Sequence, residues 1–363
     1  MKILRTYVLK EHLTPFAVTL SGLTAVMLIG NVIKLAELVI AKGVSLLDIV
    51  RLLINLIPYV LSFTVPIAVL LAIVMAFGRL SSDFELIAMR ASGIPPARLI
   101  TPLLITASLI SAGMVLLNDR VIPASHLAFR RQLKAIGIKH PTAYIEEGTF
   151  IKEFAPYIMF VYHVEGKALY NVRIYEPQPN GPTRTIVANR GEFEPLKDER
   201  TLHLDLFEGT VDQWDPEHPG SFYKVSFDKY SLHIATGTDA GMRFGKKLKE
   251  MTLRELRRER ERLAAEQIDP LPIMIELHQR LASSFATVVF TVFGLSLGLR
   301  SHHHERLTIF VWVLGFSIAY YLLSIGIDAI ALKGWLPVWL AMWVPNLVAG
   351  AFGFLRLRPH LSH

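Results

Sequence analysis

The sequence predicts a polytopic α-helical membrane protein of six transmembrane helices, three before and three after an inserted all-β domain. Three observations predict it. Of the 363 residues, 52% are hydrophobic and 19% charged, and the mean hydropathy of +0.39 is beyond that of an ordinary soluble protein. Apolar runs lie at about Thr14–Ile33, Leu52–Phe77, Leu99–Leu117, Ile273–Leu299, Leu307–Ile330 and Trp335–Phe354, each long enough to cross about 30 Å of hydrocarbon as a helix. Between the third and fourth runs the pattern switches to the two-residue alternation of strands. Six spans of about 20 residues occupy roughly 120 positions and leave about 240 for loops and at least one soluble domain. A membrane bundle alone is therefore excluded.

The first run follows Lys2, Arg5 and Lys10, precedes Lys34 and Glu37, and carries no A-x-A cleavage pattern, which predicts a retained first helix rather than a removed signal peptide. Orientation follows from Lys and Arg in the short loops. One side collects Lys2, Arg5, Lys10, Arg79, Arg90, Arg98, Arg300, Arg306, Arg356 and Arg358; the other holds Lys34, Lys42, Arg51 and Lys333. Both termini are therefore expected in the cytoplasm and the middle segment outside it. The resulting division is 1–120 for the first three spans, 121–270 for the β domain and a return helix, and 271–363 for the last three spans.

Within 121–270, Leu202, Leu204 and Leu206 alternate with His203, Asp205 and Phe207, while Tyr223, Val225 and Phe227 alternate with Lys224, Ser226 and Asp228. Each is the period of a half-buried strand. After Asp228 the apolar set moves to Tyr230, Leu232 and Ile234, which places a bulge or strand break there. Further strands are expected at Tyr144–Phe154, Tyr157–Val164, Leu169–Tyr175 and Ile186–Phe193, with turn clusters at Glu176–Pro182 and Asp215–Gly220. Several antiparallel strands in roughly 100 residues imply a sandwich, jelly roll or open barrel. The strand order does not follow from the sequence. Thr252–Gln267 reads as a charged helix with Thr252 and Glu255 as a capping box, returning the chain to the membrane at Asp269-Pro-Leu-Pro272.

Several functions are excluded. Zero Cys removes disulfides, thiolate metal sites and Cys nucleophiles. The net charge of +7 is accounted for by loop residues on one membrane face, so no nucleic-acid partner is expected. Ala240-Gly-Met-Arg-Phe-Gly-Lys-Lys247 approaches a P-loop but lacks its first Gly and closing Ser/Thr, and it falls on the outer side. His302-His303-His304 has Glu305 alone beside it in a short turn, the setting of a solvated loop rather than of a metal site. No Ser/His/Asp grouping gathers on one side of the membrane, and Glu276 and His278, two apart, share a helix face poorly. Spans two and three are free of acids and Asp328 lies near an outer end, which argues against a proton-driven transporter. No catalytic residue, metal or cofactor is expected.

The segment Arg79–Arg98 carries the most information. Ser82-Asp83-Phe84-Glu85 reads as a capping box, an amphipathic run continues through Met89, and Gly93 with Pro95-Pro96 stops it. This predicts a short helix over 82–92 against the inner membrane face. Glu85 beside apolar Phe84, Leu86, Ile87 and Met89 suits docking into a groove on a cytoplasmic partner; the alternative is a helix that rests among headgroups. The whole stretch Phe77-Gly-Arg-Leu-Ser-Ser-Asp-Phe-Glu-Leu-Ile-Ala-Met-Arg-Ala-Ser-Gly93-Ile resembles the cytoplasmic coupling segment of the LptF/LptG permease family of lipopolysaccharide export. Tyr7-Val-Leu-Lys-Glu11, Glu276-Leu-His-Gln-Arg-Leu281 and Trp343-Val-Pro-Asn346 are similar to further family stretches, and with the layout of spans the similarity covers essentially the whole chain. The Trp-x-Pro-Asn and Tyr-x-x-x-Glu stretches lean towards LptF, whereas Lys34 in its Ile-Lys context is closer to LptG.

The resemblance implies a permease subunit of a Gram-negative inner membrane, without enzymatic activity of its own. It would work with an LptB-like ATPase dimer and a second LptF/LptG-type permease subunit to extract lipopolysaccharide. A periplasmic jellyroll-like β domain would pass the lipid to LptC- and LptA-like proteins. Phe84, Glu85, Ile87, Met89 and Gly93 are then the expected ATPase-coupling residues. Lys34, and less strongly Lys42, are expected lipid contacts, because an ammonium at the depth of headgroup phosphates is a compact cationic partner; the plain alternative is snorkelling to the interface. Arg280, at the outer start of span four, and the inward-facing Tyr223 and Phe227 complete the expected lipid-binding set. The other class of function is a membrane-anchored periplasmic scaffold, separated from an exporter by whether the chain holds an ATPase. Six spans and a coupling helix exceed what anchoring requires.

Overall fold

The structure is a computed structural model that describes residues 2–40, 43–139, 145, 147–151, 156–166, 168–178, 183–194, 201–214, 222–235, 246–299 and 306–360. In chain order its helices are α1 (Lys2–Ile40), α2 (Leu46–Ser82), α3 (Glu85–Ala91), α4 (Pro96–Leu116), α5 (Ile122–Lys139), α6 (Leu253–Ala265), α7 (Leu271–Gly298), α8 (Arg306–Leu332), α9 (Val338–Ala341) and α10 (Val344–Leu357). Among the described residues six helical stretches are long and apolar enough to cross a membrane, α4 with α5 and α9 with α10 each counting as one. The chain divides into two compact units, one of residues 1–31, 54–128 and 246–363, the other of residues 32–53 and 129–245.

In the first unit α7 is enclosed over most of its length. A methyl group on Gly294 would lie 3.0 Å from the Leu70 side chain of α2, and one on Gly298 would lie 2.8 Å from Phe77. On the other flank, a methyl on Gly353 of α10 would meet the Phe293 backbone at 3.1 Å. Small residues at these points let helix backbones approach closely, as helices do in lipid. Hydrogen bonds complete the contact: Asn346 donates from Nδ2 to the Ala282 carbonyl at 2.7 Å and accepts at Oδ1 from the Tyr320 hydroxyl at 2.8 Å, while the Ser111 hydroxyl of α4 donates to the Ser284 carbonyl at 2.9 Å. The Trp-Val-Pro-Asn stretch is thereby explained: Pro345 opens α10 and Asn346 ties it to α7 and α8.

The third span differs from expectation. Asn118-Asp119-Arg120 reads as the polar end of an apolar run, yet the chain continues through a π-helical turn at Leu117–Val121 into α5. The polar groups are satisfied internally, which is what a helix needs at this depth. Asn118 Nδ2 donates to the Met114 carbonyl and to Ser284 Oγ, both at 3.0 Å, and Asp119 accepts from the Leu253 N–H at 2.7 Å. That last bond joins the π-helical turn to the start of α6, where the expected capping box of Thr252 and Glu255 is present.

In the second unit β1 (Phe150–Ile151), β2 (Ile158–Glu165), β3 (Ala168–Glu176), β4 (Arg184–Glu194), β5 (Thr201–Trp214) and β6 (Phe222–Ala235) form one antiparallel sheet in that order. The described strands thus give the jellyroll-like expectation the form of a folded meander. Across β2 to β6 the ladders pass over a single row: Tyr162, Asn171, Asn189, Glu208 and Asp228. Asn171 and Glu208 have positive φ, 53° and 52°. On β3 the buried residues are Leu169 before the row and Val172 and Ile174 after it; on β4 they are Ile186 and Ala188, then Gly191 and Phe193. Two successive residues therefore face outward at the row, so each strand turns a corner there with its convex side to solvent. The parity change seen at Asp228 is one end of this crease. Residues from both sides share one hydrophobic cluster that includes Met159, Val161, Ile174, Ile186, Leu204, Leu206 and Ile234.

On the outward parity, Asp205 is buried rather than solvated. Ser231 Oγ donates to it at 2.5 Å and Lys229 Nζ lies 2.9 Å away. The serine's hydrogen bond first, and then the lysine, hold its carboxyl below the usual range. Just past the crease, Gly209 lies beneath the Phe227 ring, and a methyl there would be 2.4 Å from both that ring and the Val187 carbonyl oxygen. A carbonyl cannot be moved aside as a side chain can. Gly209→Ala is expected to destabilise the β domain by roughly 1–3 kcal/mol, the usual scale of overpacking, measured as faster amide exchange in β4 and β5 of the full chain.

Candidate coupling and lipid-binding sites

The segment expected to form one helix over 82–92 is built differently. α2 runs on to Ser82, with the Asp83 N–H bonded to the Arg79 carbonyl at 2.9 Å, so Ser82 ends one helix instead of capping the next. Phe84, at φ 58°, makes the reversal, and α3 begins at Glu85. Gly93, at φ 74°, turns the chain out of α3, and the Ile94 N–H closes that end on the Met89 carbonyl at 3.0 Å. Leu86 is buried in a cluster with Val8, Phe77, Leu80 and Leu99, and Met89 packs against the same cluster. Phe84 and Ile87 point the other way, each 61% exposed. Of the five expected coupling residues, two thus face outward, Met89 faces inward and Gly93 shapes the backbone.

Glu85 is held from within the chain. The Tyr7 hydroxyl lies 2.8 and 3.0 Å from its two carboxylate oxygens and donates to one of them at a time. Arg79 stands behind, paired with Glu11 and lying 3.5 Å from Asp83, 4.0 Å from Glu85 and 3.4 Å from the Tyr7 oxygen. The beginnings of α1 and α3 and the end of α2 therefore meet at one carboxylate. In the sequence Tyr7 and Glu11 stand out as a motif, without this role. Their spacing of four, on one helix face around buried Val8, was the available signal.

Arg280 does not face lipid. It is 7% exposed, and its Nε bonds Glu276 at 2.7 Å while its two Nη atoms donate to the carbonyls of Met251 at 2.6 Å and Leu248 at 2.9 Å. Where a headgroup contact was expected the guanidinium has internal partners: it clamps the turn before α6, adding its donors to carbonyls there. It lines a cavity of about 200 Å³ whose mixed walls include Tyr59, Lys249, Gln279 and Asp328 as well as Phe63 and Ile327. Gln279 Nε2 donates to Asp328 at 2.6 Å.

The remaining expected lipid contacts are not gathered around Arg280. Lys34 is exposed on α1; Lys42 lies outside the described residues. Tyr223 and Phe227 do share the parity of buried Val211 and Leu206, but inward is not the same as buried: Tyr223 is 56% and Val225 49% exposed. Phe227 is half-buried against Gly209 and Tyr230. The inner face of β6 is thus open towards its start. His302–His304 and residues 240–245 of the P-loop-like stretch also fall outside the described residues, and among the described ones no His, Asp or Glu grouping could hold a metal ion.

Six membrane-crossing helices, a short helix exposing apolar groups between the second and third of them, and an inserted β sheet together define a transport permease with an extramembrane domain. Residues 6–359 match the family model described as lipopolysaccharide export system permease LptF/LptG. The chain is also 22% identical over 312 residues, 85% of each protein, to the uncharacterized protein RP871 of Rickettsia prowazekii (strain Madrid E). This chain belongs to the LptF/LptG family, whose members are permeases of lipopolysaccharide export and not themselves enzymes. It is accordingly a multi-pass inner-membrane protein.

Arg280 gives a prediction that follows from its burial. Arg280→Ala removes the charged partner of Glu276 and the guanidinium's bonds to the Met251 and Leu248 carbonyls, and is expected to cost about 3–5 kcal/mol, as removing one member of a buried pair does. The check is the melting temperature in detergent, with Arg280→Lys recovering part of the loss.

Proposed function

We propose that this chain is the transmembrane permease subunit of an ABC exporter, driven by a separate LptB-like ATPase dimer, that extracts lipopolysaccharide from the outer leaflet of the inner membrane. The observation that carries this reading is α3, where exposed Phe84 and Ile87 flank a carboxylate on a helix fixed to the bundle by Leu86. A groove with a basic group fits that surface. A scaffold whose helices serve as anchors has no use for it. The ten Lys and Arg on one side of the short loops, against four on the other, support cytoplasmic termini and a periplasmic β domain. Tyr7 with Glu11, and Trp343 with Pro345 and Asn346, support LptF over LptG.

The β domain is read as a lipid carrier. The open inner face at Tyr223 and Val225 suits acyl chains entering the folded sheet, and β6, at the end of the strand order, suits pairing with a similar domain of an LptC-like partner that leads to an LptA-like bridge. A second permease subunit of the same family completes the complex.

Two measurements test the reading. Glu85→Lys sets like charges against each other in a partly desolvated groove, a loss of about 2–5 kcal/mol, and should lower lipopolysaccharide release by tenfold or more in proteoliposomes containing the ATPase while the protein stays inserted. Unchanged release and ATP turnover would remove the docking role. Lys34 is assigned to the phosphorylated headgroup at the outer end of α1, where attraction between charges about 4 Å apart is about 4 kcal/mol at an effective dielectric of 20 and about 1 kcal/mol in water. Release per ATP should fall in the order Lys34→Arg, Lys34→Ala, Lys34→Glu. Equal release from all three would leave Lys34 as an interfacial anchor.

A further inference from the structure

The contacts at Glu85 have a mechanical consequence. α1 is a continuous helix, and none of its most apolar 18-residue stretch is buried. Along that stretch it touches α2 through hydroxyl groups: Thr19 Oγ1 donates to the Ala68 carbonyl at 3.3 Å, and Thr24 and Thr64 lie 3.2 Å apart. Its start is held far more firmly. Val8 is fully buried among Phe77, Leu80, Leu86 and Leu99, Glu11 pairs with Arg79, and the Tyr7 hydroxyl reaches Glu85. Displacement of that firmly held start is therefore passed to the exposed stretch that follows it in the same continuous helix. The hydroxyl has one proton to give, so while it holds one carboxylate oxygen the other can accept from a partner. Docking and the Tyr7 contact are therefore compatible.

We propose that Tyr7 is the positioning residue that carries movement of α3 to α1, so that displacement of the coupling helix shifts the first span through the Tyr7–Glu85 hydrogen bond, with Arg79 and Glu11 bracing it. The proposal rests on the permease reading above, in which α3 docks the ATPase. Tyr7 touches neither lipid nor nucleotide; its effect appears in the ratio of the two activities.

The test uses the full permease complex in proteoliposomes, measuring ATPase retained on purification, ATP hydrolysed and lipopolysaccharide released. Tyr7→Phe keeps the ring and its packing and removes the hydroxyl alone. The expected result is normal ATPase retention and hydrolysis within about twofold, with release per ATP lowered about tenfold, a coupling loss of ordinary size. Tyr7→Lys, a donor of similar reach, should recover much of that ratio. The proposal is overturned if Tyr7→Phe keeps the wild-type ratio, if retention, hydrolysis and release fall together, or if Tyr7→Lys is no better than Tyr7→Phe. Failure of the permease reading itself looks different: the wild-type chain would retain no ATPase or release no lipid.

Discussion

Three glycines let two neighbouring helices come closer to α7 than any side chain would permit, and the helical unit is organised around that approach. With Gly294 and Gly298 against α2 and Gly353 of α10 against the Phe293 backbone, α7 has no room to roll or slide. Its hydroxyls and carbonyls then become fixed attachment points. Ser284 receives α4 through Ser111 and Asn118, Ala282 receives α10 through Asn346, and Arg280 receives the turn that leads into α6. In lipid, where apolar contact alone does not drive helices together, shape and hydrogen bonding must define the arrangement, and both converge on this one helix.

Against that fixed centre α1 is the contrasting element. Its span is exposed and its firm contacts collect near its start, at the same place where α2 ends and α3 begins. A closely packed core thus stands beside a helix whose firm contacts gather near its start. The carboxylate of Glu85 concentrates the attachment.

The spans were legible because lipid selects composition directly, and the capping box at Thr252 because its partners are three residues apart. The continuation of α4 into α5 was not legible. Asn118 and Asp119 look like the end of a span unless Ser284 and the Leu253 N–H are known to be waiting 166 and 134 residues away. Ser82 and Glu85 form the same local pattern whether Ser82 caps a new helix or ends an old one, and a contact with Tyr7, 78 residues distant, accompanies the second outcome. The internal partners of Arg280 are hidden for a similar reason: the carbonyls it serves belong to a turn whose location depends on the tertiary fold. On β6 the parity change at Asp228 was readable, but its extension across five strands was not. The strands agree on a shared row once their register is known, and register does not lie in any one strand.

That shared row has a consequence for what the β domain can accommodate. The ladders are interrupted along Tyr162, Asn171, Asn189, Glu208 and Asp228, so the pairing on either side of the row is continuous only within its own half. What holds the two halves together on the inside is the apolar filling, Leu206, Val172 and their neighbours. The width of the interior is therefore set by side-chain volume rather than by backbone pairing.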